Sequence, residues 1–520
     1  MPGYPRPRTV APRAVSDLAA QLNAAIGGAG EPAVRVGGVT HASDSVRPGD
    51  LYAALPGARR HGAEFVPAAA AAGAVAILTD ADGAPAAVAA GLPALVAPDP
   101  RAVLGTVASA VYGEPTARLR VTGITGTAGK TSTAYLIESG LRAAGRVTGL
   151  IGTVETRIGE QTIDSVRTTP EATDLHALFA VALEWGVTDV AMEVSSHALV
   201  MGRVGGVRFT VGGYTNFGSD HLDFHGDAQA YFAAKARLFD GRCAAEVLNA
   251  DDPALVPLRK PATVTYSAGG DRSATWRAED VRDDGYAQRF TVLGPATVRL
   301  PGAVLLPGRH NVANAMLAIA VLVAGGIDPE VAVRGVAECP GVPGRLERVT
   351  AAGPVLGVVD FAHTPNAVEA ALVALRALAD SRDARLICVL GAGGDRDAAK
   401  RPLMGAAAAN GADLVVVTDD NPRSEEPAAI RAAVAAGARS AGGAEVTEVD
   451  GRRAAIAAAV RAAAPGDVVA LLGKGHERGQ EVGGVVHPFD DRIELAAALA
   501  AAAAGAGEAA DRAVGRERPA

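Results

Sequence analysis

Cysteine is scarce: Cys243, Cys339 and Cys388 are the only three in 520 residues, and they lie far apart. That spacing excludes a disulfide framework and a paired-cysteine zinc site. Surplus positive charge is also missing. The formal net charge is −8, which leaves no basic footprint for nucleic acid. Long hydrophobic runs are lacking too: the longest nearly apolar stretch, residues 66–78, is too short to span a bilayer. The N-terminal segment carries arginine and proline but no apolar core, so it does not read as a secretory signal. A cytoplasmic protein without membrane insertion or nucleic-acid partners is expected. Aromatics make up 4% of the chain and hydrophobic residues 49%, the mark of a globular chain rich in small side chains. Lysine is rare: Lys130, Lys235, Lys260, Lys400 and Lys474 stand against 44 arginines. In so arginine-biased a chain, a retained lysine marks a place where guanidinium does not substitute.

At about 150 residues per domain, the length predicts three or four domains. Residues 1–15 and 504–520 read as disordered tails, Pro/Arg-rich and Ala/Gly-rich respectively. Residues 16–117 read as a small α/β domain, 118–345 as a central nucleotide-binding domain, and 346–503 as a C-terminal one. In the last, strands are predicted at 355–360, 386–390, 414–418 and 468–472, with Ala-rich helices between them. That alternation predicts βαβ units and a parallel sheet. The stretch 262–305 reads as an antiparallel excursion.

Gly126-Thr127-Ala128-Gly129-Lys130-Thr131 lies between an apolar strand at 119–125 and a helix predicted from 131 to 144. Glycines let backbone N–H groups approach an anion, and the helix N-terminus adds its dipole. Lys130 suits β- and γ-phosphate charge, and the Thr131 hydroxyl suits Mg²⁺. The pattern is shortened, because Ile124 occupies the usual first glycine position. Glu193 ends a second buried strand, 187–194, which in a parallel sheet places it at the carboxyl edge beside this loop. It is a candidate oxygen ligand for Mg²⁺, or a capping carboxylate. Asn216, Asp220, His221, Asp223 and His225 crowd one short segment, as polar loops also do. Lys235 follows on a helical stretch, where an isolated lysine is ordinarily exposed.

Eleven motifs then carry a resemblance: GTAGKTST (126–133), TTPEATDL (168–175), MEVSSHAL (192–199), TNFGSDHLDFHG (215–226), AAKARLF (233–239), PGRHNVANAMLA (307–318), PGRLERV (343–349), DFAHTPNAVE (360–369), GAGGDRDAAKRPLM (391–404), DDNPR (419–423) and GKGHE (473–477). In this order they resemble the Mur ligases of peptidoglycan synthesis, and among these the diaminopimelate-adding members. The resemblance implies an α/β, three-domain architecture: an N-terminal UDP-substrate domain, a central P-loop-type parallel-sheet ATPase domain and a C-terminal Rossmann-like domain. It implies ATP as co-substrate and Mg²⁺, two ions in all. Gly126, Thr127, Gly129, Lys130, Thr131, Ser132, Asn311, Arg345, Asp360 and His363 are implied to bind ATP. Glu193 with Thr131 is implied at the first metal, and His221 with Lys235 at the second, Lys235 being carbamylated to N6-carboxylysine. Ser43, Thr168, Thr169, Ser195 and Arg203 match positions that hold UDP-MurNAc-L-Ala-D-Glu. Ala128, Met201, Phe217-Gly218-Ser219, Phe361 and Asn366 depart from the usual motifs, but none removes a metal or phosphate ligand.

The amino acid added is read from charge. Meso-diaminopimelate has a second amino-acid head remote from the reacting amine, whereas L-lysine has only an ammonium there. Arg423 suits a remote carboxylate through two parallel hydrogen bonds, and Arg396 is a second candidate. Asn421 and Glu477 suit the remote ammonium, and Asp420, Pro422 and Gly473 complete the loops. With lysine bound, Arg423 would lack its anion. The expected reaction is ATP-dependent amide ligation through an acyl phosphate, by a monomer. Rival readings are the same ligation with L-lysine, a folylpolyglutamate-synthase-like ligase, a P-loop NTPase and a non-catalytic muropeptide-binding protein.

Overall fold

The computed structural model describes residues 4–22, 24–349 and 353–515. The chain forms two compact units: residues 1–277, 292–300 and 314–336 in one, and 278–291, 301–313 and 337–520 in the other. The expected N-terminal region and most of the central one thus cluster together, and three short central segments, 278–291, 301–313 and 337–345, group with the C-terminal region.

In the first unit, the strand Arg120–Thr125 lies between Asp189–Glu193 and Phe209–Tyr214, both parallel to it. Registers of Glu193 with Ile124 and of Tyr214 with Thr125 bring three strand ends out level. The loop glycine Gly126, Glu193 and Thr215 therefore share one edge. The order continues through Thr148–Ile151, Thr156–Ile158 and Gln161–Ile163 on one side, and Cys243–Asn249 and Val264–Ser267 on the other. Val121, Ile124, Val190, Val211 and Leu248 are fully buried, each contributing about 1.5–3 kcal/mol. The helix after the loop runs Lys130–Ala143. Gly145 follows it at φ +72°, a left-handed turn that stops a helix cleanly. The stretch expected to be antiparallel first extends the parallel ladder: Val264–Ser267 runs parallel to its neighbour, and Tyr266 and Ser267 face Trp276 and Arg277 in the same sense. The N-terminal region carries a five-stranded sheet in the order Ala25–Gly28, Pro93–Val96, Ala76–Thr79, Asp50–Ala53, Gly38–Thr40.

The N-terminal segment corrects the expectation of a disordered tail. Arg6 pairs with the buried Asp50 carboxylate at 2.6 Å. The backbone N–H groups of Arg8 and Thr9 donate to the Glu184 carboxylate at 3.0 and 2.9 Å. Arg13–Ala14 pairs antiparallel with Arg35–Val36. The physical reason is that a buried aspartate needs a countercharge, and Arg6 supplies it. Arg6→Ala is expected to lower stability by about 2 kcal/mol, the cost of losing a charged hydrogen bond to a buried group; a denaturant midpoint equal to wild type would show the contact to be idle. At the other end, the helix Asp491–Gly515 runs into the stretch read as a tail. Residues 1–3 and 516–520 lie outside the described residues.

In the second unit a six-stranded sheet has the order Glu347–Val349, Leu356–Asp360, Val468–Leu472, Leu386–Leu390, Leu414–Val417, Glu445–Glu448. Its four central strands are parallel, and two lie where the alternation places them to the residue. The antiparallel edge Glu347–Val349 and the polar edge Glu445–Glu448 carry no apolar run and escaped the pattern. Among the described residues no helix is long and apolar enough to cross a membrane.

Candidate active site

The phosphate loop is held open from behind. Gly126 has φ +140°, and a Cβ there would collide with the Thr215 hydroxyl. Gly129 has φ +84°, and its Cβ would strike the Asn314 side chain. The carbonyl of Ala128 accepts from Thr215 Oγ1 at 2.6 Å and from Asn216 Nδ2 at 3.1 Å, while Asn216 Oδ1 accepts the Ala128 N–H at 3.1 Å. Asn216, suspected of metal binding from its segment, is thus a clamp on the loop. Lys130 Nζ donates to the carbonyls of Gly126 and Thr127 at 2.8 and 2.9 Å.

Lys235 is not the exposed helix lysine that an isolated lysine usually is. It is 1% exposed, and its Nζ donates to the same Gly126 carbonyl at 2.7 Å. The amine also lies over the Tyr231 ring, 4.5 Å from its centre, and the Tyr231 hydroxyl donates to Thr127 Oγ1 at 3.3 Å. Burial first, and the nearby Lys130 charge second, push the Lys235 amine well below its ordinary pKa, with Asp220 opposing. The site therefore favours a neutral amine.

Glu193 sits beside the loop, 1% exposed. Its Oε1 accepts from the Thr131 hydroxyl at 3.0 Å and the Thr153 N–H at 2.7 Å, and its Oε2 from the Thr153 hydroxyl at 3.1 Å. A Cβ on Gly152 would come within 2.5 Å of Oε1, so a larger residue there would push the carboxylate aside. A hydroxyl and a carboxylate, hard oxygen donors next to a phosphate loop, fit Mg²⁺. Thr153 carries no motif signal and was missed. The Thr168 and Thr153 hydroxyls lie 3.1 Å apart, within hydrogen-bond distance. The Thr169 hydroxyl donates to the Glu193 carbonyl at 2.9 Å and accepts the Ser195 N–H at 3.1 Å. Arg203 donates to the Thr169 carbonyl at 3.4 Å and pairs with Glu171 at 2.8 Å. One network thus links Lys130, Thr131, Glu193, Thr168, Thr169, Ser195, Arg203 and Lys235. Ser43 lies elsewhere in the unit, opening the short turn Ser43–Ser45.

The His/Asp segment packs differently from a metal cluster. Among the described residues no three His, Cys, Asp or Glu side chains gather to hold an ion. His221 has φ +53° and stacks edge-on against His197 at 4.8 Å, and His197 lies 4.1 Å from Phe224. Burial lowers the His221 pKa; Asp220 opposes this, and the charges of Lys130 and Lys235 reinforce it. A neutral imidazole fits a cation ligand.

In the second unit, the Arg345 guanidinium lies over the Phe361 ring at 4.5 Å. Phe361 also contacts His363 at 4.5 Å and His476 at 5.0 Å. Asp360 accepts the N–H groups of Leu346 and Ala362 at 2.6 and 2.8 Å, and burial raises its pKa against the pull of Arg345. Asn311 Nδ2 donates to the Pro307 carbonyl at 2.8 Å. Arg345, Asp360 and His363 are thus neighbours around one ring.

The acceptor loops also come together. The carbonyl of Asn421 accepts the Gly394 N–H at 2.9 Å, and Arg423 Nη1 donates to the Gly394 carbonyl at 2.7 Å. A Cβ on Gly473 would come within 2.5 Å of the Asp420 carboxylate. The buried Arg452–Asp491 pair supports these loops from below, with Arg452 donating to the carbonyls of Asp419 and Leu472 at 3.3 and 3.0 Å. Two placements differ from expectation. Arg396 turns back on the Asp395 carbonyl at 3.1 Å and does not join the Arg423 cluster. Asn421 and Glu477, expected to meet a substrate ammonium, already meet one: Lys474 Nζ donates to Asn421 Oδ1 at 3.1 Å and to Glu477 Oε2 at 3.0 Å. Lys474 is fully buried, and a buried ammonium needs these acceptors.

Comparison with known proteins bears on this arrangement. Residues 35–112 match the Mur ligase family catalytic domain, 124–322 the Mur ligase middle domain, and 344–475 the Mur ligase glutamate ligase domain. The chain belongs to the Mur ligase family. Two curated Mur ligases, from Streptomyces avermitilis and Streptomyces coelicolor, are each 53% identical to it over 505 residues, covering 96% of this chain and 98% of theirs. Both are named UDP-N-acetylmuramoyl-L-alanyl-D-glutamate--2,6-diaminopimelate ligase. A solved structure of a ligase of that name is 31% identical, with TM-score 0.65 over 90% of this chain and 95% of that one. The α/β Mur ligase architecture expected from the motifs is the one found.

Proposed function

We infer that this Mur ligase is the ATP-dependent enzyme that adds meso-diaminopimelate to UDP-MurNAc-L-Ala-D-Glu in peptidoglycan precursor synthesis. The observation that carries the reading is the set of side chains at the phosphate loop: Lys130, Thr131, Glu193 and the buried amine of Lys235. The names of the relatives agree with it.

The D-Glu side-chain carboxylate attacks the γ-phosphorus of ATP, and the bond to the β–γ bridging oxygen breaks. ADP leaves, and an acyl phosphate forms. The amine of diaminopimelate then attacks the acyl carbon, loses a proton, and inorganic phosphate departs. Lys130 swings from the loop carbonyls to the phosphates, and the loop N–H groups fix their position. Thr131 and Glu193 would hold one Mg²⁺, and His221 with a carbamylated Lys235 would hold a second; the charge supplied there would lessen the repulsion between an attacking carboxylate and a triphosphate. Ser43, Thr168, Thr169, Ser195 and Arg203 hold the UDP-dipeptide. Asn311, Arg345, Asp360 and His363 hold the nucleotide base and ribose. Arg423 binds the remote carboxylate of diaminopimelate, and Glu477 its remote ammonium. The three thiols are free and buried, as suits a reducing cytoplasm.

A paired ligation assay tests this. Purified chain with ATP, Mg²⁺, bicarbonate and UDP-MurNAc-L-Ala-D-Glu is given meso-diaminopimelate or L-lysine, and the product is weighed by mass spectrometry. A UDP-tripeptide from diaminopimelate alone is expected. Product from lysine alone would keep the ligase and discard the acceptor assignment.

A further inference from the structure

The hairpin formed by Gly479–Val482 and Val485–Pro488 has no assigned role, yet it is fastened to the acceptor loop at several points. Gln480 Nε2 donates to the Asp420 carbonyl at 2.6 Å. The Glu481 N–H donates to Asn421 Oδ1 at 3.0 Å. The Arg423 N–H donates to the Glu481 carbonyl at 3.0 Å, and the Gly483 N–H returns a bond to the Arg423 carbonyl at 2.7 Å. The side chains are joined as well: Arg423 Nε lies 3.3 Å from Glu481 Oε2.

These contacts decide how Arg423 is presented. A guanidinium has five N–H donors in a rigid plane. The Glu481 carboxylate faces Nε as an ion pair at 3.3 Å, and the Gly394 carbonyl accepts from Nη1 at 2.7 Å. Two fixed points on opposite sides of a planar group set its orientation. The Nη2 hydrogens and the second Nη1 hydrogen form the remaining edge, with the parallel spacing that a carboxylate accepts bidentately. Arg423 also sits at φ +55°, a left-handed conformation that the bonds from the hairpin backbone hold in place.

We propose that Glu481 is a specificity-determining positioning residue, which holds the Arg423 guanidinium so that its free edge receives the remote carboxylate of the amino acid being added. The proposal rests on the diaminopimelate reading above. It differs from a bare charge argument, because Arg423 alone on a flexible stem would attract anions with little discrimination. Glu481 is partly exposed, so its replacement leaves the core intact.

The test is steady-state ligation by the full chain and its Glu481→Gln and Glu481→Ala variants, with KM measured for each of the three substrates. For both variants KM for meso-diaminopimelate is expected to rise about tenfold, more for Ala than for Gln, because the Arg423 guanidinium loses the charge that orients it. KM for ATP, KM for the UDP-dipeptide and the thermal midpoint stay at wild-type values. The preference for diaminopimelate over its remote-end monoamide narrows by a similar factor. A merely structural hairpin would lower the thermal midpoint or shift all three KM values together, which would overturn the proposal. A fall in KM for diaminopimelate would also overturn it, by showing that Glu481 competes with the substrate carboxylate. Failure of the underlying reading is separate: it would appear in the wild type, as product from lysine and none from diaminopimelate.

Discussion

Lys235→Arg is expected to leave the chain folded and to slow ligation about a thousandfold, because the lost metal ligand removes several kcal/mol of charge stabilisation. Arginine keeps the positive charge and the helix. It lacks a nucleophilic primary amine, so it forms no carbamate. On the proposed reading the wild-type amine would attack the carbon of CO₂, forming a C–N bond and releasing one proton. Only the neutral amine does this. Burial and the Lys130 charge lower the Lys235 pKa, which raises the neutral fraction near neutral pH. Lowering the pH through that depressed pKa protonates the amine, so the carbamate and the activity fall together. Labelled bicarbonate and carbon NMR report the carbamate directly, and exhaustive removal of CO₂ should reduce wild-type activity reversibly. A carbamate-free wild type with full activity would sink the assignment.

The same residue separates activity from stability. A group with a depressed native pKa binds fewer protons when folded than when unfolded, so its contribution to stability rises with pH up to the ordinary lysine range. Lys235→Met removes that slope. Its unfolding free energy should be less pH-dependent than that of wild type and no smaller at neutral pH, while its ligation rate falls as in the arginine variant. Inactivity with an unfolded circular dichroism spectrum would point to misfolding instead.

Much of the site was legible because chemistry and local geometry coincide there. Gly126 and Gly129 announce a loop that needs positive φ, and both have it. Glu193 ends a buried strand, so its place at the sheet edge comes from parallel topology alone. Lys235 stood out only against the arginine bias; its burial depends on Tyr231 one helical turn back and on a carbonyl 109 residues away. Contacts of that kind leave no local pattern. Arg6 and Asp50 lie 44 residues apart, so no local pattern pairs them. Thr153, Lys474 and Glu481 act through partners in other loops, and each is an ordinary polar residue in its own neighbourhood. The edge strand Glu445–Glu448 was missed for the opposite reason: it pairs through its backbone and buries little, so its side chains carry no alternation.

Lys130→Ala is expected to cost at least another thousandfold in kcat/KM, and its side effects identify the cause. An ammonium about 4 Å from a phosphate, at an effective dielectric of about 20, is worth about 4 kcal/mol per unit charge, or roughly a thousandfold in rate. That loss should appear in both ATP KM and kcat, since the γ-phosphate gains contact with the lysine as it transfers. Removing Lys130 also removes the second positive charge beside Lys235, one of the two causes that hold its pKa down. The Lys235 pKa should therefore climb, and carbamate formation in the variant should require higher pH than in wild type. Lys130 contributes in the same direction at His221, whose pKa should also move up. A loss of activity with unchanged pH dependence of the carbamate signal would mean that the two lysines do not share a field. Retention of ATP affinity in Lys130→Ala, read by calorimetry with a non-hydrolysable analogue, would instead remove Lys130 from the ground-state complex and confine its role to the transferring phosphate.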